Sequence, residues 1–256
     1  MNCKIIAVQK KNIRNECNPK YKYSALFGLA SAGFLGAIID LDNMWALAPV
    51  ISSSISFGLL SIASLKNSPK VFLKNTNGTL SKLTYLTLLP FHAGNNLLLY
   101  LYGKLSKHDS YNKIIDHIYL GRKLYDKESQ QLQNRNIKTT LDLTSEFKEA
   151  SYLRESTNYI NIPLLDGFAP TVAQLKFGVI EIKKAKNNGN IYIHCALGNS
   201  RSATFVAAYL LESGQEKDIE SAEKYIQSRR PGVKISQSQK KSLDKFLELK
   251  KTEDDK

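Results

Sequence analysis

The sequence predicts an α/β domain, a largely parallel sheet with flanking helices, preceded by a helical transmembrane hairpin. Three observations predict it. Strand-like and helix-like segments alternate from Lys104 onward. Two long stretches without a charged side chain come before them. Near the end of the alternation, a β-prone run, Asn190-Ile191-Tyr192-Ile193, leads through a short loop into an apolar-periodic helix starting near Ser202.

The hairpin comes first. Tyr23 to Ile39 holds no charge, and after Asp40-Leu41-Asp42 a second uncharged stretch runs from Asn43 to Leu65. The second is long enough to span a bilayer, and the first spans if Asp40 reaches the interface. Residues 1–22 carry six basic side chains and one acid, while Lys66, Lys70, Lys74 and Lys82 follow the second stretch with no acid. The positive-inside rule puts both flanks in the cytoplasm and the Asp turn outside. The net charge of +13 would ordinarily raise nucleic acid as a partner. Here the basic residues of the first hundred positions flank apolar stretches, so a lipid bilayer is the expected partner and nucleic acid is not. The organisation reads as a basic amino terminus over 1–22, the hairpin over 23–65, a basic linker with a membrane-associated segment over 66–112, a catalytic domain over 113–250 and a charged tail over 251–256.

Within the linker, residues 83–103 are uncharged but interrupted by Pro90, His92 and Asn95-Asn96. These residues predict a broken, re-entrant or interfacial segment rather than a third span. The α/β domain comes next. Strands are expected over 114–120, 137–143, 159–164 and 190–193. Helices are expected over 128–133, 171–186, 200–213, 217–229 and 236–250, with Gly189 and Gly214 as stops.

The chemistry concentrates in His194-Cys195-Ala196-Leu197-Gly198-Asn199-Ser200-Arg201-Ser202. A strand, a tight loop and a helix N-terminus present backbone N–H groups to an anion of phosphate size, here from Ala196, Leu197, Gly198, Asn199 and Ser200. The positive end of the helix lowers a thiol's pKa, so Cys195 is expected as thiolate, the attacking form. Arg201 can hold two phosphoryl oxygens through its planar fork. Gly198 lets the loop turn and approach a ligand closely. A leaving alkoxide needs a proton from a carboxylic acid on a separate loop. Asp166, in Leu165-Asp166-Gly167-Phe168-Ala169-Pro170, is the expected donor, with Asp142 in Leu141-Asp142-Leu143 as its rival.

This arrangement resembles the signature loop of the protein tyrosine phosphatase superfamily, His-Cys-x5-Arg-Ser/Thr, in its dual-specificity branch. The likeness covers roughly Asp116 to Leu249. It implies that His194 supports the loop and thiolate by hydrogen bonding and that Ser202 assists departure of the Cys195 sulfur. It also implies that Asp166 is the general acid and that Arg229-Arg230-Pro231-Gly232 is a structural turn. Members acting on polyphosphorylated inositol lipids usually carry lysines within the x5 stretch, which is neutral here.

The expectation is therefore a membrane-anchored phosphatase working through a phosphocysteine intermediate on phosphotyrosine or phosphoserine/threonine proteins. A phospholipid head-group phosphatase is the alternative, and an inactive phospho-binding anchor or a sulfur transferase fits less well. No cofactor or metal is expected, since His92, His108, His117 and His194 do not cluster in sequence. Three unpaired cysteines (Cys3, Cys17, Cys195) fit a reducing compartment, and Cys17 could carry a lipid or be an ordinary thiol. Membrane-attached bacterial relatives with such hairpins look similar, which implies a multi-pass inner-membrane protein with a cytoplasmic catalytic domain.

Overall fold

The computed structural model describes residues 18–39 and 44–254. Residues 1–17 with Cys3 and Cys17, the Asp40–Asp42 turn and residues 255–256 lie outside them. The chain begins with two long helices, α1 (Pro19–Ile39) and α2 (Met44–Lys66), packed on each other as a hairpin. Small residues allow the close approach. Ser24 and Ser61 hydroxyls meet at 3.0 Å, the Ser31 hydroxyl donates to the Ser54 carbonyl at 2.9 Å, and Gly28 and Gly58 each face a serine of the other helix. Among the described residues one helix, over Leu47–Lys66, is long and apolar enough to cross a membrane by length and composition.

Two further helices succeed the hairpin, α3 (Lys82–Thr87) and α4 (Leu89–Leu105). The break falls at Leu88, two residues before Pro90, which sits in the first turn of α4, where proline is tolerated. The segment read as a basic linker is in firm contact with the α/β domain. The Lys74 ammonium pairs with the Asp142 carboxylate, and the Glu149 N–H donates to the Gly78 carbonyl at 2.9 Å.

The α/β body carries a five-stranded sheet in the order β1-β2-β5-β3-β4. Its strands are β1 (Tyr111–Ile115), β2 (Ile118–Arg122), β3 (Ile137–Thr144), β4 (Asn158–Leu164) and β5 (Asn190–Cys195). β1 and β2 are antiparallel and all other pairs are parallel. The single strand expected over 114–120 is thus a hairpin, because Asp116-His117 turn the chain back. Between the strands lie α5 (Asp126–Ser129) with a 3-10 turn (Gln130–Arg135), α6 (Ser151–Ser156) and α7 (Val172–Lys186). After β5 come α8 (Arg201–Glu212), α9 (Ile219–Arg229) and α10 (Gln237–Asp254). The last helix runs through Lys251 to Asp254, so this part of the expected tail is helical.

Strand periodicity divides the core. Ile191 and Ile193 join the large cluster made with α7 to α10, while Tyr192 joins Leu132 and Leu153 in the other. A third cluster, with Leu60, Phe72, Leu88, Leu165 and Phe168 at its centre, packs the base of the hairpin against the loop after β4.

Candidate active site

β5 ends at Cys195 in the middle of the sheet, and α8 begins six residues later at Arg201. The loop between them sits at the carboxyl ends of parallel strands, where α/β folds place ligands. Gly198 takes a φ of 72°, and a Cβ there would lie 2.3 Å from the Gly121 backbone. Four successive loop carbonyls are held from behind. The Lys123 N–H takes that of Ala196, the Arg230 guanidinium takes those of Leu197 and Gly198, and the Lys234 N–H takes that of Asn199. In trans peptides, carbonyls drawn outward leave N–H groups on the inner side of the loop. Arg230, 1 % exposed, also donates to Asn112 and the Asp109 carbonyl. The Arg-Pro turn therefore shapes the loop between β5 and α8.

Cys195 is buried, with its Sγ 3.3 Å from the Ser202 hydroxyl. Burial pushes the thiol pKa up, but the Arg201 charge and the Ser202 hydroxyl and N–H outweigh it and bring the pKa below its usual value. Arg201 is fully buried, and burial opposes its charge. The Glu146, Asp166 and Cys195 charges nonetheless raise its pKa, so it stays cationic. Its two terminal nitrogens meet the Glu146 carboxylate at 2.8 and 3.2 Å, and one also donates to the Leu164 carbonyl at 2.8 Å. Its Nε–H is buried without a protein acceptor. That orphaned donor can take an oxygen of an anion, since an unmet buried donor is costly.

Asp166 lies in the loop after β4 with its side chain 68 % exposed, and its Oδ1 is 3.1 Å from Arg201 Nη2. The loop thus reaches the guanidinium from the solvent side. Asp142, the rival carboxylate, is fully buried in β3. It accepts from Lys74, from the Tyr159 hydroxyl at 2.6 Å and from the Thr144 N–H at 2.7 Å. Burial opposes its charge, but Lys74 and His194 hold its carboxyl well below the usual carboxylate range, so it is an ion-paired carboxylate closed off inside the fold.

His194 is buried, with Nε2 2.7 Å from Glu149 Oε2 and Nδ1 3.3 Å from the Cys195 carbonyl. Burial opposes protonation, but Glu149 and Asp142 raise its pKa above the ordinary value. Its Nδ1 thus lies against the backbone of the cysteine's own residue. Asp142, Glu149 and His194 bring ligand-type atoms within 4.8 Å of one another. The Lys74 ammonium already sits on Asp142, so the cation this cluster calls for comes from the chain itself. Sequence reasoning missed Lys74, Glu146, Glu149 and the cradle role of Arg230. The loop residues Cys195, Ser202, Arg201 and Asp166 do come together.

Family comparisons agree with this geometry. The dual specificity phosphatase catalytic domain matches residues 118–248, and the chain belongs to that family. A human dual specificity protein phosphatase 16 is 27 % identical over 123 residues, covering 47 % of this chain and 18 % of that protein. The phosphatidylglycerophosphate phosphatase PTPMT2 of Arabidopsis thaliana is 26 % identical over 145 residues, covering 54 % of this chain and 63 % of that one. The matches therefore span less than two thirds of these relatives. Among solved structures, PTPMT1 in complex with PI(5)P superposes with a TM-score of 0.52 at 25 % identity, covering 57 % of this chain and 99 % of that one.

Proposed function

We propose that the chain is a membrane-anchored phosphatase that cleaves phosphate monoesters through a phosphocysteine intermediate. The carrying observation is Cys195, its pKa lowered, beside the buried, acceptor-free Nε–H of Arg201. The Cys195 thiolate attacks phosphorus in line while Arg201 and the loop N–H groups hold the nonbridging oxygens. The ester P–O bond breaks as the Asp166 carboxylic acid protonates the departing oxygen. Asp166, now a carboxylate, then takes a proton from water, whose oxygen attacks phosphorus. The S–P bond breaks, Ser202 stabilises the returning thiolate, and inorganic phosphate leaves. His194 keeps the loop backbone in place.

The anchor reading rests on the small-residue packing of α1 and α2, the form helices take within lipid, and on their outer surfaces. Leu29 and Trp45 are 74 % and 90 % exposed there, alongside Leu35 and Ile55. Such an apolar face asks for lipid around it. Residues 23–65 then span as a hairpin and 66–112 join it to a cytoplasmic catalytic domain over 113–250. The substrate is a phosphorylated protein or a phospholipid head group, since the relatives include enzymes named for each.

The test is aryl phosphate turnover by the full chain. Cys195→Ser should abolish turnover while phosphate-ester binding persists, because the cup is backbone and Arg201. Arg201→Lys should be nearly as damaging, since a point charge cannot grip two oxygens. Phosphate on Cys195 should be recovered after acid quenching, and turnover by Cys195→Ser would end the covalent reading.

A further inference from the structure

A cavity of about 1050 Å³ opens from the loop between β5 and α8. Ala196, Leu197, Asn199 and Asp166 line one end. Its remaining walls come largely from residues that precede the matched domain: Phe27 of α1, Leu60 and Ala63 of α2, and Phe91 and Leu99 of α4. Asn199 and the Tyr102 hydroxyl of α4 lie 3.2 Å apart, joining that wall to the anion cup. Tyr23 of α1 stacks on Phe168 with ring centroids 6.3 Å apart, joining the hairpin to the Asp166 loop.

Two features decide what belongs there. The cavity pairs an anion cup with a long apolar wall, so it matches an amphiphile whose polar end is a single phosphate. A phosphorylated side chain on a protein would fill the cup and leave most of the apolar wall uncovered. The cavity also lies at the open end of the hairpin, lined there by Tyr23 and Leu26 near the start of α1 and by Ala63 and Ser64 near the end of α2.

We infer that this cavity seats the acyl part of a membrane lipid bearing a terminal phosphate monoester, so that the hairpin and α4 are part of the substrate site. The inference rests on the phosphatase reading for turnover, but its binding arm is independent of it. The neutral loop suits one phosphate rather than a polyphosphorylated head group.

Two measurements on the full chain in detergent test it. The first is kcat/KM for a series of monoalkyl phosphates below their micelle concentrations, beside an aryl phosphate and a phosphotyrosine peptide. Each added methylene should raise kcat/KM by up to about fourfold until the cavity is full, from the usual worth of a buried methylene. The second is photolabelling of the Cys195→Ser chain in vesicles with a phosphatidic acid carrying a diazirine in its acyl chain. Label should concentrate on Phe27, Leu60, Phe91 and Leu99, and excess alkyl phosphate should compete it away. A flat alkyl series with normal aryl phosphate turnover would overturn the inference and leave the phosphatase reading intact. A phosphopeptide preferred over the longest alkyl phosphate would do the same, as would label confined to Leu29, Leu35 and Trp45. If no phosphate ester turns over, the catalytic reading fails, and the labelling pattern alone decides whether the cavity takes lipid.

Discussion

The Lys74 ammonium is buried against the Asp142 carboxylate, with 2 % and 0 % of the two side chains exposed. Lys74 also donates to the Thr144 carbonyl and hydroxyl, both at 3.0 Å. From this pair a line of ionisable groups runs inward. Asp142 Oδ1 lies 3.8 Å from His194 Nε2, which lies 2.7 Å from Glu149. His194 in turn touches the carbonyl of Cys195. A lysine from before the catalytic family domain is thereby connected, side chain by side chain, to the residue expected to do the chemistry.

Removing that lysine should be costly. Lys74→Met leaves Asp142 buried without its cation, a change that typically costs about 3–5 kcal/mol. Urea unfolding of the full chain in detergent near neutral pH should show it as a lower midpoint. Asp142 has a folded pKa below its unfolded one, about 3.9 for an ordinary Asp. The stabilisation is therefore complete above about pH 4 and is lost as pH falls through the lower folded value. The wild-type advantage should shrink in strong acid. A variant as stable as wild type at pH 7 would mean that the pair contributes nothing net.

Asp166→Asn should slow hydrolysis of alkyl and phenyl phosphates by roughly 10²–10⁴-fold, the usual worth of a general acid. Esters whose leaving group departs as a stable anion should lose far less. Equal losses for the two kinds would remove Asp166 from proton transfer. Asp142 could not then replace it, since it is buried and ion-paired to Lys74.

The lowered thiol pKa has its own signature. Inactivation by iodoacetate should follow ionisation of Cys195, with a midpoint below that of the same thiol in the unfolded chain. The thiolate fraction grows with pH, so inactivation speeds up through that midpoint and then levels. Ser202→Ala removes a hydrogen bond to the sulfur and should move the midpoint upward. Arg201→Met removes the larger stabilising charge and should move it further. A wild-type midpoint at or above that of the unfolded chain would contradict the electrostatics described for the loop.

The anion loop was legible because its parts are contiguous. Strand, turn, arginine and helix start all lie within residues 190–202, and local spacing carries their geometry. Its supports were not legible. Glu146 is 55 residues from Arg201 and Lys74 is 68 from Asp142, and no local pattern marks such pairs. The expected strand over 114–120 hid a reversal, since apolar residues on either side of Asp116-His117 read as one run. Helix α6 is too short, at six residues, for helical periodicity to appear. The Pro90 break was readable because proline acts locally on the backbone. That the segments beside it wall the site was not, because an apolar face does not name what it packs against.

The last prediction concerns sidedness. Six basic residues precede the first apolar stretch, four lysines come after the second, and two aspartates lie between them. Under the positive-inside rule this places the amino terminus and everything after Lys66 in the cytoplasm. Cys195 chemistry argues for the same side, because a thiolate of lowered pKa is readily oxidised outside a reducing compartment. The structure adds a geometric reason: the hairpin's open end meets the Asp166 loop through Tyr23 and Phe168, so the catalytic domain sits where both flanks emerge. In a chain with Cys3 and Cys17 replaced by serine, Asn43→Cys should react with an impermeant maleimide in intact cells. Lys127→Cys, exposed on the catalytic domain, should react only after lysis. Labelling of Lys127→Cys from outside would mean that residues 83–103 cross the bilayer completely. The site would then face lipids of the opposite leaflet, with no cytoplasmic phosphoprotein within reach.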